Sequence, residues 1–298
     1  MSVKVSIITL CYNQLENATK PFIESLYRYT NQELFELIIV NNGSVDGTTE
    51  YLNGIAEQHS NITVIHNNEN YGYSKGNNQG LKIAKGELLL LCNNDLLFTP
   101  NWLEDYIDAL DANKNVGLMG VMTNFCGNKN QLVQNAKSYN ASNYLQKWKK
   151  SKKEKTILYQ DKVIFFCVAI PRVILETVGY FDENFGLAWF EDDDYSLRIL
   201  YQGYKLAIAT NIFIYHNHSQ TSSNLAMTEE GILLFEKNKK YFEDKHSFYY
   251  GLKKQLIDLQ NRMRHKCYHS IFSVKNDYID GRKHKYLTLL GIKVEIKI

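Results

Sequence analysis

The stretch Gly86-Glu87-Leu88-Leu89-Leu90-Leu91-Cys92-Asn93-Asn94-Asp95 decides how the chain is read. Leu88 to Cys92 form an unbroken apolar run, the mark of a strand buried on both faces of a mostly parallel sheet. The run stops on two amides and a carboxylate. Open α/β sheets place ligands in the crevice at the carboxyl ends of their strands. A leucine strand would hold Asn93, Asn94 and Asp95 at that edge, although an Asp ending a strand is most often a turn residue. Thr99-Pro100 reads as the cap and first residue of a helix through Trp102 to Leu110.

Upstream, Val3 to Leu10 alternates and then turns apolar, a first strand closed by Cys11-Tyr12-Asn13-Gln14. Helical spacing follows through Phe22, Leu26 and Tyr29. Phe35 to Val40 is a second strand, closed by Asn41 to Thr48, with a helix from Thr49 to about Gln58. Ile62 to His66 is a third strand, Asn67 to Gly76 a polar loop and Asn77 to Ala84 a short helix. Strands and helices alternating in this way are βαβ units on a parallel sheet, so the expected class is α/β. Each strand of this half ends in a polar cluster: Tyr12-Asn13, Asn41 to Asp46, Asn67 to Asn70, Asn93 to Asp95. Such clusters at one sheet edge would converge on a single crevice.

Downstream the pattern loosens. Thr123 to Asp161 is polar and carries the basic run Lys147-Trp148-Lys149-Lys150-Ser151-Lys152-Lys153, a solvated loop or a flap facing an acceptor or membrane. Val163 to Ile170 reads as a buried strand and Pro171 to Val178 as a helix. Trp189-Phe190-Glu191-Asp192-Asp193-Asp194 precedes the helical spacing of Leu197, Leu200 and Tyr201. Ala207 to Tyr215 is a strand ending on His216-Asn217-His218. Leu252, Leu256, Leu259 and Met263 form an apolar stripe edged by Lys and Arg, which packs in a core or lies on an anionic membrane. The strictly alternating Ile292 to Ile298 is a strand.

Length allows one large domain with additions or two small ones. A net charge of +2 gives no bulk attraction to nucleic acid. The odd count of 5 cysteines, without metal-ligand spacing, fits free thiols in a reducing compartment. Met1 to Leu10 lacks the apolar run of a signal peptide, and Val163 to Ile170 falls far short of the roughly 20 residues of a spanning helix. A soluble, cytoplasmic protein is expected.

The ordered set Thr9-Leu10-Cys11-Tyr12-Asn13, Asn41 to Thr48, Asn70 to Gly80, Leu91 to Asp95 and Glu191 to Asp194 resembles the family 2 glycosyltransferases, inverting enzymes with the GT-A fold. The resemblance covers roughly residues 3 to 220. It implies a transferase domain over 1–220, with a nucleotide-binding half 1–95 and an acceptor-binding half 96–220. A helical extension ending in a strand would occupy 221–298. It further implies a nucleotide-sugar donor, UDP first, and a glycan or lipid-linked glycan acceptor of the bacterial surface type. The lipid-linked case would bring peripheral contact with the inner face of the membrane.

In that resemblance Asp95 matches the last acid of a metal-binding D-x-D motif, with Asn93 where the first Asp usually stands. One carboxylate must then hold Mn²⁺ or Mg²⁺, helped by His216, with His218 as the fallback. A divalent ion stabilises a diphosphate leaving group as a Lewis acid. Thr9, Tyr12, Asn13, Asn41, Asp46, Lys75, Asn78, Asn94 and Asp95 make up the implied donor site. Asn41 would accept from a uracil imide where the family has Asp, and Asp46 would meet the base or simply cap a helix. Lys75 would meet base or phosphate. Asp192 falls on the family's general base, with Trp189 and Glu191 toward the acceptor. Asp194 and Arg198, four apart, read as a helix-surface ion pair. Two rivals stand beside this reading. A sugar nucleotidyltransferase would need a glycine-rich loop after strand one, and Thr9 to Asn13 has no glycine; the other rival is an inactive relative that only binds nucleotide or glycan.

Overall fold

The computed structural model describes residues 4–133, 157–217, 227–248 and 251, and the backbone of 272–279, 282–289 and 292–296. The fold is mixed α/β, as the sequence implies. Eight strands form one sheet in the order β3-β2-β1-β4-β8-β6-β9-β7. These are β1 (Val5–Cys11), β2 (Phe35–Asn42), β3 (Ile62–Asn67), β4 (Leu88–Asn93), β6 (Val116–Met122), β7 (Ile157–Gln160), β8 (Cys167–Pro171) and β9 (Lys205–Phe213). Two short strands, β5 (Leu96–Leu97) and β10 (Tyr215–His216), pair antiparallel beside it. β1, β2, β3 and β4 run parallel, as do β6 and β9, while β8 is antiparallel to both β4 and β6.

The leucine run is the hinge of this arrangement. From β1 the chain winds outward to β2 and β3 and returns to β4 on the other flank of β1. That reversal between β1 and β4 opens a crevice at their carboxyl ends. Leu88 and Leu90 face one core layer and Leu89 and Leu91 the other. Burying each leucine stabilises by about 1.5–3 kcal/mol, so the run fixes this strand centrally.

Helices cover both faces. α1 (Lys20–Tyr29), α2 (Thr48–Gln58) and α4 (Trp102–Asp111) put Phe22, Leu26, Leu52, Trp102 and Tyr106 into one layer. α3 (Gly72–Ile83), α5 (Arg172–Val178) and α6 (Glu191–Tyr201) put Leu81, Ile174, Tyr195 and Ile199 into the other. α7 (Glu229–Lys245) follows. By compactness the chain divides at Asn238, giving units Met1–Asn238 and Lys239–Ile298. The second unit carries an antiparallel sheet of β11 (Phe272–Ile279), β12 (Arg282–Leu289) and β13 (Ile292–Ile296).

Several elements differ from the sequence reading. α3 starts at Gly72, so the residues read as the end of a loop are its first turns. α4 is preceded by Asn101 in the left-handed region at φ 63°, not capped by Thr99. The Thr99 hydroxyl instead donates to the Phe213 carbonyl at 2.8 Å and ties the loop to β9. The second unit has two strands, β11 and β12, ahead of the one expected at its end. The basic run 147–153, His218 and the stripe 252–263 lie outside the described residues. Among the described residues no helix is long and apolar enough to cross a membrane.

Candidate active site

The chain leaves β4 at Asn93, whose N–H donates to the Phe166 carbonyl on the antiparallel neighbour. Two residues later comes Asp95, buried, and opposite it His216 on β10. The His216 Nε2 lies 3.1 Å from the Asp95 Oδ1. Its Nδ1 faces the Phe125 carbonyl at 3.0 Å, and a carbonyl can only accept, so Nδ1 carries a proton. The ring stacks on Phe166, centroids 5.5 Å apart. Asn124 locks the strand with a pair of bonds to the His216 backbone, and the Asn217 N–H donates to the Asp95 carbonyl. Burial opposes a charge on His216, but the hydrogen bond and charge of Asp95 outweigh it, holding the imidazole above its usual range.

This pair fits a divalent ion. Nδ1 bonded to a carbonyl leaves Nε2 as the ligating nitrogen, the arrangement that orients a metal-binding histidine. A spacing of 3.1 Å is close to the ~3 Å between neighbouring ligands of a six-coordinate ion with bonds of about 2.1 Å. No cluster of three or more His, Cys, Asp or Glu side chains suited to a metal occurs among the described residues. Substrate and water would have to complete the shell.

The second station is the first turn of α6. Four acids open it, and the structure separates them into two kinds. Asp193 is paired with Lys162 at 2.6 Å. Asp194 is fully buried and paired with Arg198 at 2.8 Å, which also donates to the carbonyls of Val178 and Tyr180. The expected Asp194–Arg198 pair is therefore present, but with its carboxylate buried rather than on the helix surface. Breaking a buried pair from one side costs about 3–5 kcal/mol. Asp194→Asn, which keeps one hydrogen bond, is expected to lower stability by about 3 kcal/mol in urea unfolding, with turnover near wild type well below the melting point.

Among the described residues, Glu191 and Asp192 carry no ion pair of this kind. Asp192 Oδ1 accepts from the Asp193 N–H at 2.8 Å, and Glu191 Oε2 is buried without a hydrogen-bond partner. Both are raised: Glu191 by burial and then the charge of Asp192, Asp192 by burial and then the charge of Asp193, with Lys162 opposing in each case. The two carboxyls titrate as a pair, held by burial and neighbouring acids above the ordinary carboxylate range.

The two stations are connected through neighbouring residues. Tyr73, on α3, feels the charges of Glu191 and Asp192, and its hydroxyl donates to the Phe165 carbonyl. The next residue, Phe166, stacks on His216. Spacing alone gave no signal for Phe166, Tyr73, Lys162 or the Phe125 carbonyl, since each reaches the site from a distant part of the chain.

The loop entering α6 is held from several sides. Trp189 and Phe190 both sit in the left-handed region, at φ 71° and 72°. Such backbone costs of order 1–3 kcal/mol per residue and persists only where surroundings enforce it. Gly72 allows the loop to approach: a Cβ there would stand 2.4 Å from the Gly186 carbonyl oxygen, and the Tyr73 N–H donates to Leu187.

The remaining donor-site candidates are placed as follows. Thr9 is buried within β1, with an unpartnered hydroxyl, rather than at the crevice. Tyr12, just past β1, is 39% exposed. Asn13 accepts from the Val45 N–H at 2.9 Å, joining the loops after β1 and β2. Asn41 is buried; its oxygen accepts from Ser44 N–H and its amide donates to Thr49 Oγ1 and meets His66. Asp46 takes the N–H and hydroxyl of Thr48 and the N–H of Leu15, a capping arrangement. Burial raises its pKa, but these bonds win and lower it. Lys75 lies over the Tyr71 ring at 3.5 Å from the centroid. Asn78 is buried and bonded both ways to the Phe181 backbone, and Asn94 donates to Thr19 Oγ1. The structure thus brings together Asp95 with His216, Asp192 with Glu191, and Asn13 with the loop of Asp46. It sets Thr9 and Asn78 apart in the interior.

Comparison with known proteins agrees with this fold. Solved structures share the GT-A fold at low identity. The crystal structure of GalNAc-T7 with UDP, GalNAc and Mn²⁺ matches with a TM-score of 0.59 at 15% identity, over 81% of this chain and 50% of that one. The mannosyltransferase PcManGT of Pyrobaculum calidifontis, in complex with GDP-Man and Mn²⁺, gives 0.56 at 18%, over 76% and 60%. S. aureus TarS 1–349 gives 0.54 at 14%, over 95% and 96%. An uncharacterised glycosyltransferase of Haemophilus influenzae is 31% identical over 39% of this chain, a match spanning only 35% of that relative's length. One of Methanocaldococcus jannaschii is 21% identical over 80% of this chain and 81% of its own. The model of "Glycosyl transferase family 2" matches residues 6–179, more than half of the sequence, and on that ground the chain belongs to glycosyltransferase family 2.

Proposed function

We propose that the chain moves a sugar from a nucleoside diphosphate donor, UDP first, to a hydroxyl of a glycan or lipid-linked glycan, with inversion at the anomeric carbon. The observation carrying this reading is the adjacency of Asp95 and His216, 3.1 Å apart just past the carboxyl end of β4, in a chain that also holds an ionisable Asp192 at the start of α6. Asp95 and His216 would hold Mn²⁺ or Mg²⁺, which when bound offsets charge on a departing diphosphate. Asp192 accepts the proton of the acceptor hydroxyl as its oxygen attacks the anomeric carbon from the face opposite the leaving group. A single displacement from that side inverts the centre. Tyr12 and the Lys75–Tyr71 pair offer an aromatic and a cationic edge to the nucleotide, while Asn13, Asn41 and Asp46 hold the loops around it. Trp189 and Glu191 stand toward the acceptor. Relatives crystallised with Mn²⁺ support the metal, and those with UDP or GDP-Man the donor class.

The test is release of nucleoside diphosphate from a panel of nucleotide sugars, with Mn²⁺ and with chelator. UDP release from at least one UDP-sugar, abolished by chelator, is expected. Release from GDP-sugars alone would replace the donor assignment, and no binding of any nucleotide sugar would overturn the reading.

A further inference from the structure

We infer that Asn238 is a positioning residue for the base: its carboxamide grips the backbone of the loop entering α6 and so sets where Asp192 stands. This rests on the reading of Asp192 as base. Asn238 lies on α7, well beyond residues 6–179 that match the family model. Its side chain is fully buried. The Nδ2 donates to the carbonyls of Phe185 at 2.6 Å and Ala188 at 2.8 Å, with that of Trp189 at 3.4 Å. An amide group has two hydrogens, so both are spent on this one loop.

Three residues earlier on the same helix face, the Phe235 ring packs edge-on against Trp189 at 5.9 Å and against Phe190 at 5.2 Å. Trp189 and Phe190 are the two residues in left-handed backbone, and the next two are Glu191 and Asp192. The Phe190 carbonyl accepts from the Asp194 N–H, the first turn of α6. A grip on 185–189 is therefore transmitted through two strained residues directly to the acids. The Tyr73 N–H, from α3, also holds the Leu187 carbonyl of this loop. Removing the two bonds from Asn238 would let Trp189 and Phe190 relax toward ordinary backbone and swing the start of α6.

The experiment uses the full chain. Asn238→Asp has the same shape but presents a carboxylate oxygen to the carbonyls in place of the two donors. Turnover is expected to fall about 10- to 100-fold, the scale of a misplaced catalytic group. Affinity for UDP with Mn²⁺ should change less than about twofold, because that site is elsewhere in the crevice. The emission of Trp189, obtained by difference against the same variants carrying Trp189→Phe, should shift. Combined with Asp192→Asn, the further loss should vanish, since both changes act through one group. Turnover within about twofold of wild type, or a full multiplicative loss in the double variant, would overturn the inference. If Asp192→Asn alone keeps its turnover, the base reading fails first, and that is seen before Asn238 is touched. Should Asn238→Asp not fold, Asn238→Ser keeps one hydroxyl donor; its turnover should lie between, and wild-type turnover would be fatal to the inference.

Discussion

Asp192→Asn is expected to lower turnover by about 10²- to 10⁴-fold, the usual contribution of a general base, while donor affinity stays near wild type. The substitution keeps shape and hydrogen bonding, including acceptance from the Asp193 N–H, and removes only the proton acceptor. Neighbouring acids are poor substitutes for stated reasons. Asp193 is held by Lys162 and Asp194 by Arg198. Glu191 is held above the usual carboxylate range by its burial and the charge of Asp192. The wild-type rate should also fall with acid earlier than an ordinary aspartate would dictate. A base must be ionised, burial and Asp193 raise Asp192, and so the acid limb of the pH–rate profile lies above the usual range near about 3.9. Retained turnover in Asp192→Asn together with loss in Glu191→Gln or Asp193→Asn would move the base to that neighbour.

The strand that set the fold was legible because its signal is local: consecutive leucines bounded by polar residues need no partner to be recognised. β6 was not, for a physical reason. Val116–Met122 contains Gly117 and Gly120, which break an apolar run in sequence but are demanded by packing. A Cβ on Gly120 would stand 2.5 Å from Val163, and one on Gly117 2.7 Å from Ile199. The start of α3 was hidden in the same way. Gly72 and Gly76 read as loop residues, yet both are helical, and Gly76 and Gly80 at helical spacing line the face toward β1. There a Cβ on Gly76 or Gly80 would meet Leu10 at 2.8 Å or Ile8 at 2.5 Å.

Within the site, the polar clusters were legible as clusters but not as individuals. Sequence order placed them at strand ends, which the sheet confirms. It could not say which amides face solvent and which are consumed by one another. Asn67 and Gln79 bond reciprocally, Asn42 bonds Asn70, and Asn41 is tied to Ser44, Thr49 and His66. Most of these partners lie 12 or more positions apart, so only the folded topology assigns them. Buried amides need such partners, and a network that satisfies them also stiffens the rim of the crevice.

Asp95→Ala should remove turnover and the Mn²⁺-dependent part of UDP affinity together. Changes in the outer shell of a metal site already cost about 10- to 100-fold in affinity, and Asp95 is one of the two side chains proposed, among the described residues, to ligate directly. The backbone bond from the Asn217 N–H to the Asp95 carbonyl survives the substitution, so the link between the loop after β4 and the strand of His216 is kept. What is lost is the carboxylate beside Nε2. His216→Ala should lose the same metal-dependent part, and the double variant little more, because neither group alone completes the pair. UDP titrations with Mn²⁺ and with chelator separate this from general damage. A variant merely destabilised loses affinity in both, whereas loss of the ligand leaves the chelator value where it was. Unchanged metal-dependent UDP binding in Asp95→Ala would remove Asp95 from the metal site and leave its contact with His216 a structural ion pair.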